Sequence, residues 1–343
     1  MRRFYSAYII TLLLVAMQTW AQPNAVQVKQ LRQRSFQKSV PAGNYSGITW
    51  LGDDRYAVVS DKSSTDGFFV FRIDIDSVKG RIRRVANLGF RSSGLPDRDV
   101  EGIAWIPGRQ TLMTVGEADS RIVEYGLDGS PTGWSLQLPP ASKTHGYESL
   151  SYDSHSRRLW TMPEASASST PNATTGALSV HETFEVPSGT VRGTLTLLSV
   201  SLDDTTHIAT PYLYIPDAPR KKPERGRPYV CGVSEVLALD DGTLLVLERE
   251  VWMARSGVRA AVWCKLYRVF PAEQSTDKPM QKQLVASWKT SFPSVPPRIA
   301  NYEGMTIGPR LADGSQTIIL VSDSQNRYKG LLRDWFKVIV LRR

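Results

Sequence analysis

Glu101-Gly102-Ile103-Ala104-Trp105, a turn at Pro107-Gly108, then Leu112-Met113-Thr114-Val115-Gly116-Glu117 is the stretch on which the reading of this chain turns, because four other stretches repeat its plan. Ser46–Trp50 runs through Gly52-Asp53-Asp54 into Tyr56–Asp61, and Glu148–Tyr152 through Asp153–Ser156 into Leu159–Glu164. Ser234–Leu239 runs through Asp240-Asp241-Gly242 into Leu244–Glu248, and Glu303–Ile307 through Asp313-Gly314 into Ile318–Asp323. Each unit is two short apolar, β-prone runs around an Asp/Gly/Pro turn, the pattern of a β-hairpin. Self-similarity at long period is the mark of a repeat architecture.

Third strands follow several hairpins, at Phe68–Ile73, Arg121–Leu127, Leu195–Leu202 and Lys265–Phe270, and amphipathic helices are missing. Short antiparallel sheets repeated along a chain of this size predict an all-β fold, a β-propeller, with a β-sandwich or two-domain all-β protein as the alternative. Five blades are readable; a sixth, built from Val26–Val40 and Trp335–Leu341, would also close the ring. The repeats begin 47 to 86 residues apart, and the longest interval, about 165–232, reads as a loop insertion with a Ser/Thr-rich stretch at Ser166–Thr175.

Aligning the units exposes two acidic sets. Glu101, Glu148 and Glu303 open the first strand, where Ser46 and Ser234 stand in the other repeats; Asp61, Glu117, Glu164, Glu248 and Asp323 close the second. Asp and Glu supply 33 of 343 residues, so an acid at all five closing positions exceeds what chance would place there. In a hairpin the start of one strand lies beside the end of the next, so both sets should meet at one mouth of the propeller channel. Crowding carboxylates there is unfavourable unless cations compensate. Three readings follow: the acids tie blades together through backbone amides, they hold a hard cation with carbonyls and water, or some act as general bases on an attacking water. Lys62, Arg249 and Arg327 follow three of the acids and are candidates to hold an anionic substrate, although an arginine beside an acid often only pairs with it.

The N-terminus reads as a secretory signal: Arg2 and Arg3, an apolar run Ile9–Met17, and cleavage after Ala21. That run is short of the ~20 residues that span a bilayer, which predicts export to the periplasm or medium, no membrane span after cleavage, and a single domain over 22–343. The net charge of +9, or +7 without the signal arginines, suits anionic ligands, but the basic residues form no stripe with aromatics, which argues against nucleic acid. The densest basic cluster, Arg220-Lys221-Lys222 with Arg225 and Arg227, reads as a solvated loop. Cys231 and Cys264 fall in one repeat, where a meander would bring them together as a disulfide; two separate thiols is the alternative. His145, His155, His181 and His207 show no metal-ligand spacing, and no G-x-S-x-G, H-E-x-x-H or Cys-x-x-Cys occurs. What is left for chemistry is carboxylates and metal.

Glu101–Trp105, Gly146–Leu150, Leu245–Arg249, Asn301–Met305 and Val321–Asn326 resemble the phytase-like family described by esterase-like activity of phytase, a group of exported bacterial proteins, over roughly Tyr45 to Leu341. The resemblance implies a propeller and hydrolysis of phosphate or other esters credited to acids, which here would be Glu101, Glu148, Glu248, Glu303 and Asp323. The R-H-G motif of histidine acid phytases is missing. The E-G-x-x-W element is also similar to calcium-dependent lactonase and gluconolactonase propellers. The expectation is therefore a divalent-metal-dependent hydrolase of a small anionic or ester substrate, with Ca²⁺ ahead of Mg²⁺. Glu101, Glu148, Glu303 and Glu248 would be catalytic, Asp61, Glu117, Glu164 and Asp323 metal-holding, and Arg249, Arg327 and Lys62 substrate-binding. A propeller that binds a ligand or partner without catalysis, and a calcium-dependent esterase or lactonase, are the rivals.

Overall fold

In Tyr56-Ala57-Val58-Val59 successive side chains point to opposite sheet faces, and each face meets a different repeat: Tyr56 and Val58 pack against strands of the last repeat, Ala57 and Val59 against those of the second. Period-2 alternation thus builds a core of five apolar layers, one between each pair of neighbouring sheets. Each fully buried aliphatic or aromatic side chain in these layers contributes about 1.5–3 kcal/mol.

The computed structural model describes residues 27–141, 146–165, 193–203, 209–271, 276–294 and 297–342. The signal reading, His145, His181, His207 and Ser166–Thr175 lie outside them. Two short strands come first, β1 (Gln27–Gln30) and β2 (Arg34–Ser35). Blade 1 is β3 (Tyr45–Gly52), β4 (Arg55–Ser60), β5 (Gly67–Ile75) and β6 (Ile82–Ser92); blade 2 is β7 (Val100–Ile106), β8 (Thr111–Gly116), β9 (Arg121–Gly126) and β10 (Pro131–Gln137). Blade 3 is β11 (Ser151–Asp153), β12 (Arg158–Thr161), β13 (Leu195–Ser201) and β14 (Ala209–Tyr214), so the long interval carries the two outer strands of this blade. Blade 4 is β15 (Tyr229–Ala238), β16 (Leu244–Met253), β17 (Ala260–Val269) and β18 (Lys282–Phe292). Blade 5 is β19 (Asn301–Arg310), β20 (Gln316–Asp323) and β21 (Trp335–Arg342), completed by β1 from the other end of the described chain, with β2 also pairing on β21.

This is a five-bladed β-propeller. The two segments read as a candidate sixth blade instead complete the fifth, with Gln27 opposite Arg342 and Gln30 opposite Ile339. The innermost strands β3, β7, β11, β15 and β19 each touch the next around the ring, and β15 touching β19 and β19 touching β3 close it. Among the described residues no helix is long and apolar enough to cross a membrane.

Candidate functional site

The residue that opens each repeat occupies a special place in the ladder. Between the first two strands the register slips by one: Tyr45 faces Ser60 and Gly47 faces Val59, Val100 faces Gly116 and Gly102 faces Val115. The same slip separates Val233 from Glu235 and Tyr302 from Gly304. Ser46, Glu101, Ser234 and Glu303 are therefore the extra residues of four β-bulges, a device that re-aims a side chain and increases local twist. Glu148 stands at the matching place before β11, its N–H given to the Met162 carbonyl at 3.3 Å. All five are buried. Ser46 and Ser234 bond the next blade, donating to the carbonyls of Val100 and Tyr302 at 3.2 and 3.1 Å. The glycine after the bulge has its own reason: a Cβ on Gly47 would lie 2.6 Å from the Glu101 carbonyl oxygen, and one on Gly102 2.5 Å from the Leu150 nitrogen. Five inner strands crowd one axis, and the E-G pair is the local answer.

The ladder corrects one alignment. Asn301 faces Asp323; Asp61 and Glu117 give their N–H groups to the carbonyls of Asn44 and Asp99, and Glu164 to that of Gly146. The equivalent place in blade 4, opposite Gly232, is held by Arg249, because Glu248 faces Val233 one rung nearer the turn. Side chains alternate along a strand, so one rung reverses the face. Glu248 turns away from the axis, taking hydrogen bonds from the Tyr214 hydroxyl at 2.7 Å, Lys282 Nζ at 2.5 Å and the Asp217 N–H at 3.1 Å. It does not join the other acids. Arg249 does: buried at the axis, it is bound by the carboxylates of Glu164 and Glu303 from two other blades and by Asn301 Oδ1 at 2.8 Å. It neutralises acids with Nη1 and Nη2, which are already engaged, while its Nε is buried without a hydrogen-bond partner among the described residues.

Glu101, Glu148 and Glu303 thus converge from three blades, with Asp61, Glu117, Glu164 and Asp323 around them and Arg249 among them. Burial, and then the facing carboxylates, push the Glu101 carboxyl well above the ordinary range, with Glu303, Asp61, Glu117 and Asp99 as the charged neighbours. Glu148 is raised likewise, by burial and then by Glu164 and Glu101. Glu303 is pushed up to about 8 by burial, against the lowering influence of Arg249; Asn301 Nδ2 donates to it at 2.7 Å. Burial also raises Asp323, although the Gln325 N–H donates to it at 2.6 Å. Glu117 accepts from the Gly146 N–H at 3.0 Å.

The acids divide into two sectors. On the side of blades 3 to 5, Arg249 compensates Glu164 and Glu303. On the side of blades 1 and 2, carboxylate oxygens of Asp61, Asp99 and Glu101 lie within 4.8 Å of one another. Oxygens on one Ca²⁺, each at ~2.4 Å, are at most ~4.8 Å apart. Asp61 Oδ1 and Asp99 Oδ1 are buried and have no hydrogen-bond partner among the described residues. Clustered carboxylates at that spacing, two of them with an orphaned oxygen, fit a divalent cation. Lys62 places its ammonium 2.5 Å from Asp61 and is itself 65% exposed.

Asp99 was missed in the sequence although its signal was there: it stands two before Glu101, as Asn44 does before Ser46 and Asn301 before Glu303. Glu235, also missed, sits where three repeats have glycine; its carboxyl accepts from the N–H groups of Val236 at 3.0 Å and Met305 at 3.3 Å, and burial raises it well above the usual range. Arg327 is placed elsewhere than expected. It binds Asp334 at 2.5 Å and the Val40 carbonyl at 2.6 Å, and so ties a turn to the N-terminal segment. The basic cluster at Arg220–Arg227 is an exposed loop, with the N–H groups of Arg220 and Lys221 given to Glu250 at 2.8 and 2.7 Å.

Cys231 and Cys264 are both free, which corrects the expected disulfide. Cys231 lies opposite Glu250, whereas Cys264 lies opposite Arg249 from the far side of β16. An intervening strand separates them by roughly 9–10 Å, beyond the ~7 Å limit for Cα atoms of a disulfide, and adjacent rungs face opposite ways. The other mouth of the channel holds a cavity of about 290 Å³ whose inner lining includes Ile48, Ile103, Leu150 and Met305; none of the clustered carboxylates lines it.

The model of the family described as "Phytase-like: Esterase-like activity of phytase" matches residues 40–325. No curated protein matches the chain. Among solved structures, an endo-arabinase from Bacteroides thetaiotaomicron aligns at 13% identity and TM-score 0.47, covering 90% of this chain and 98% of that one. The PQQ-bound aldose sugar dehydrogenase of Streptomyces coelicolor aligns at 14% identity and TM-score 0.43, covering 93% and 99%. At such low identity and superposition nothing of their chemistry transfers to this chain.

Proposed function

The chain belongs to the phytase-like family, and from that premise we propose that it hydrolyses ester bonds, phosphate esters first, at the carboxylate mouth, with one divalent cation held by Asp61, Asp99 and Glu101. The observation that carries this reading is that Asp61, Asp99 and Glu101 each bring a carboxylate oxygen within 4.8 Å of the others, while Asp61 and Asp99 each also keep a buried Oδ1 without a hydrogen-bond partner among the described residues. Three carboxylates with backbone carbonyls and water suit Ca²⁺, which takes 6–8 oxygens, better than Mg²⁺ with its strict octahedron. Such a cation polarises a phosphoryl or acyl oxygen and makes water more acidic. Glu303 is the group for proton transfer, since a carboxyl pushed up to about 8 gives and takes protons near neutrality. Water adds to phosphorus or the acyl carbon and its proton passes to Glu303. The bond to the leaving oxygen breaks, and that oxygen takes the proton back. Arg249 and Asn301 hold the Glu303 carboxylate in place. Lys62 at the rim offsets negative charge on the substrate.

The reading keeps the chain outside the cytoplasm, its first 21 residues removed, on the strength of Arg2, Arg3 and the apolar run that follows. A mature N-terminus at Gln22 in the periplasm or medium is the corresponding observation. The test of function is turnover of phytate, a simple phosphomonoester and a carboxylic ester, with Ca²⁺ and with chelator. Activity that requires Ca²⁺ and disappears in Glu303→Gln and Glu101→Gln supports the proposal; no turnover, or turnover indifferent to both changes and to chelator, overturns it. A binding-only propeller is the second reading, favoured by the double ion pair of Arg249, and it expects Ca²⁺ uptake with no turnover.

A further inference from the structure

Beside the carboxylate mouth, and sharing Asp61 with it, a cavity of about 230 Å³ opens against blade 1; Asn326, from the turn after β20, is among the residues that line it. Its apolar wall is Phe69 and Phe90, whose rings meet edge to face at 4.9 Å. Phe69 is backed from the core by Tyr45 and Phe71, at 5.9 and 5.8 Å between ring centres, so the wall is held rigid. Both rings remain partly exposed among the described residues, although most of the large apolar side chains of blade 1 are fully buried. The rim is polar: Lys62, Ser63, Ser64 and Asn326. Lys62 adopts a left-handed backbone, φ 53°, at the start of this rim, and its ammonium stays on Asp61.

These parts have different chemical preferences. A hydroxyl-rich or uniformly charged substrate has no use for two partly exposed phenyl rings, whereas a flat apolar group beside an anionic or polar ester satisfies wall and rim together. The volume is below the ~300–1,000 Å³ of sites for drug-sized ligands, so the group it takes is small, one ring or two fused rings. We infer that this cavity is a substrate subsite selecting esters with an aryl group next to the ester bond, the ester reaching toward Asp61 and the ring lying on Phe69 and Phe90. This rests on the hydrolytic reading of the mouth, but its binding consequence does not need turnover.

The experiment is equilibrium binding of 2-naphthyl phosphate, followed by naphthyl fluorescence, and of glycerol 2-phosphate by calorimetry, to the full chain with Ca²⁺. Two variants probe the cavity without touching the carboxylates: Ser64→Trp, which fills it from the exposed rim, and Phe90→Ala, which removes part of the wall. The expected result is at least tenfold tighter binding of the naphthyl ester. Each variant should weaken that binding fivefold or more and leave glycerol 2-phosphate unchanged. If Phe90→Ala does not fold, Ser64→Trp alone decides. Equal affinity for the two esters, or variants that shift both alike or neither, overturns the subsite. Turnover is then measured on the same samples: naphthyl selectivity without any hydrolysis keeps the subsite and removes the hydrolytic reading, whereas hydrolysis of both esters without selectivity does the reverse.

Discussion

Replacing Arg249 by glutamine tests the electrostatic logic of the mouth. The arginine side chain is 5% exposed and binds Glu164, 6% exposed, and Glu303, 12% exposed; Glu303, pushed up to about 8, already holds its proton at pH 7, so the buried charge that the arginine compensates there is that of Glu164. Once the arginine is gone, the Glu164 carboxylate can stay charged, at the cost of an uncompensated buried ion, or take up a proton. The second route sets the ceiling. Holding one ordinary glutamate, pKa about 4.3, neutral at pH 7 costs about 2.7 × 1.36, or roughly 3.7 kcal/mol. Lost hydrogen bonds bring the expected destabilisation to about 3–5 kcal/mol, the range for breaking a buried ion pair by removing one partner. At pH 5 the same proton costs only about 0.7 × 1.36, or roughly 1 kcal/mol, so the deficit should shrink to about 1–2 kcal/mol. Urea unfolding of both proteins in chelator, at pH 7 and pH 5, measures this. A second substitution, Glu164→Gln, should return part of the loss at pH 7. A deficit below about 1 kcal/mol at pH 7, or one of equal size at both pH values, would refute the argument that Arg249 is a tethered counter-cation.

Three further outcomes follow from the same geometry. Glu303 is raised from 4.5 to about 8, so the folded chain holds a proton there that the unfolded chain has lost; linkage makes cation-free stability fall as pH rises through that window, by up to about 5 kcal/mol for this group. Melting in chelator should therefore drop between pH 5 and 8, and added Ca²⁺ should restore it most at the alkaline end; a rise in stability across the window contradicts the assignment. Gly102→Ala forces a methyl to 2.5 Å from the Leu150 nitrogen at the junction of blades 2 and 3, and a loss of about 1–3 kcal/mol in thermal unfolding is expected. Thiol titration should find two free cysteines per chain, with Cys264, buried and pushed up to about 12, reacting only after unfolding; a mass difference on reduction would show the disulfide after all.

Much of this molecule was legible in the sequence because its strongest signals are local. Alternation in Tyr56-Ala57-Val58-Val59, the Asp/Gly/Pro turns and the bulge-forming E-G pair each act within a few residues, so repeats, strands and the gathering of Glu101, Glu148 and Glu303 at one mouth could be read directly. What the alignment could not decide was a register of one. In Leu247-Glu248-Arg249 an acid and a base are adjacent, and which of them faces the axis depends on the rung that β15 offers to β16, a property of the pairing and not of the repeat. The partners of Arg249 lie 85 and 54 residues away on other blades, Asp61 meets Asp99 only because blade 1 packs on blade 2, and β1 completes blade 5 from the opposite end of the described chain. Side-chain period and turn chemistry are written along the chain, so the sequence alone determined the repeating β architecture and its acidic mouth. Charge compensation and closure are contacts between distant segments, and only the packed ring of five sheets decides them.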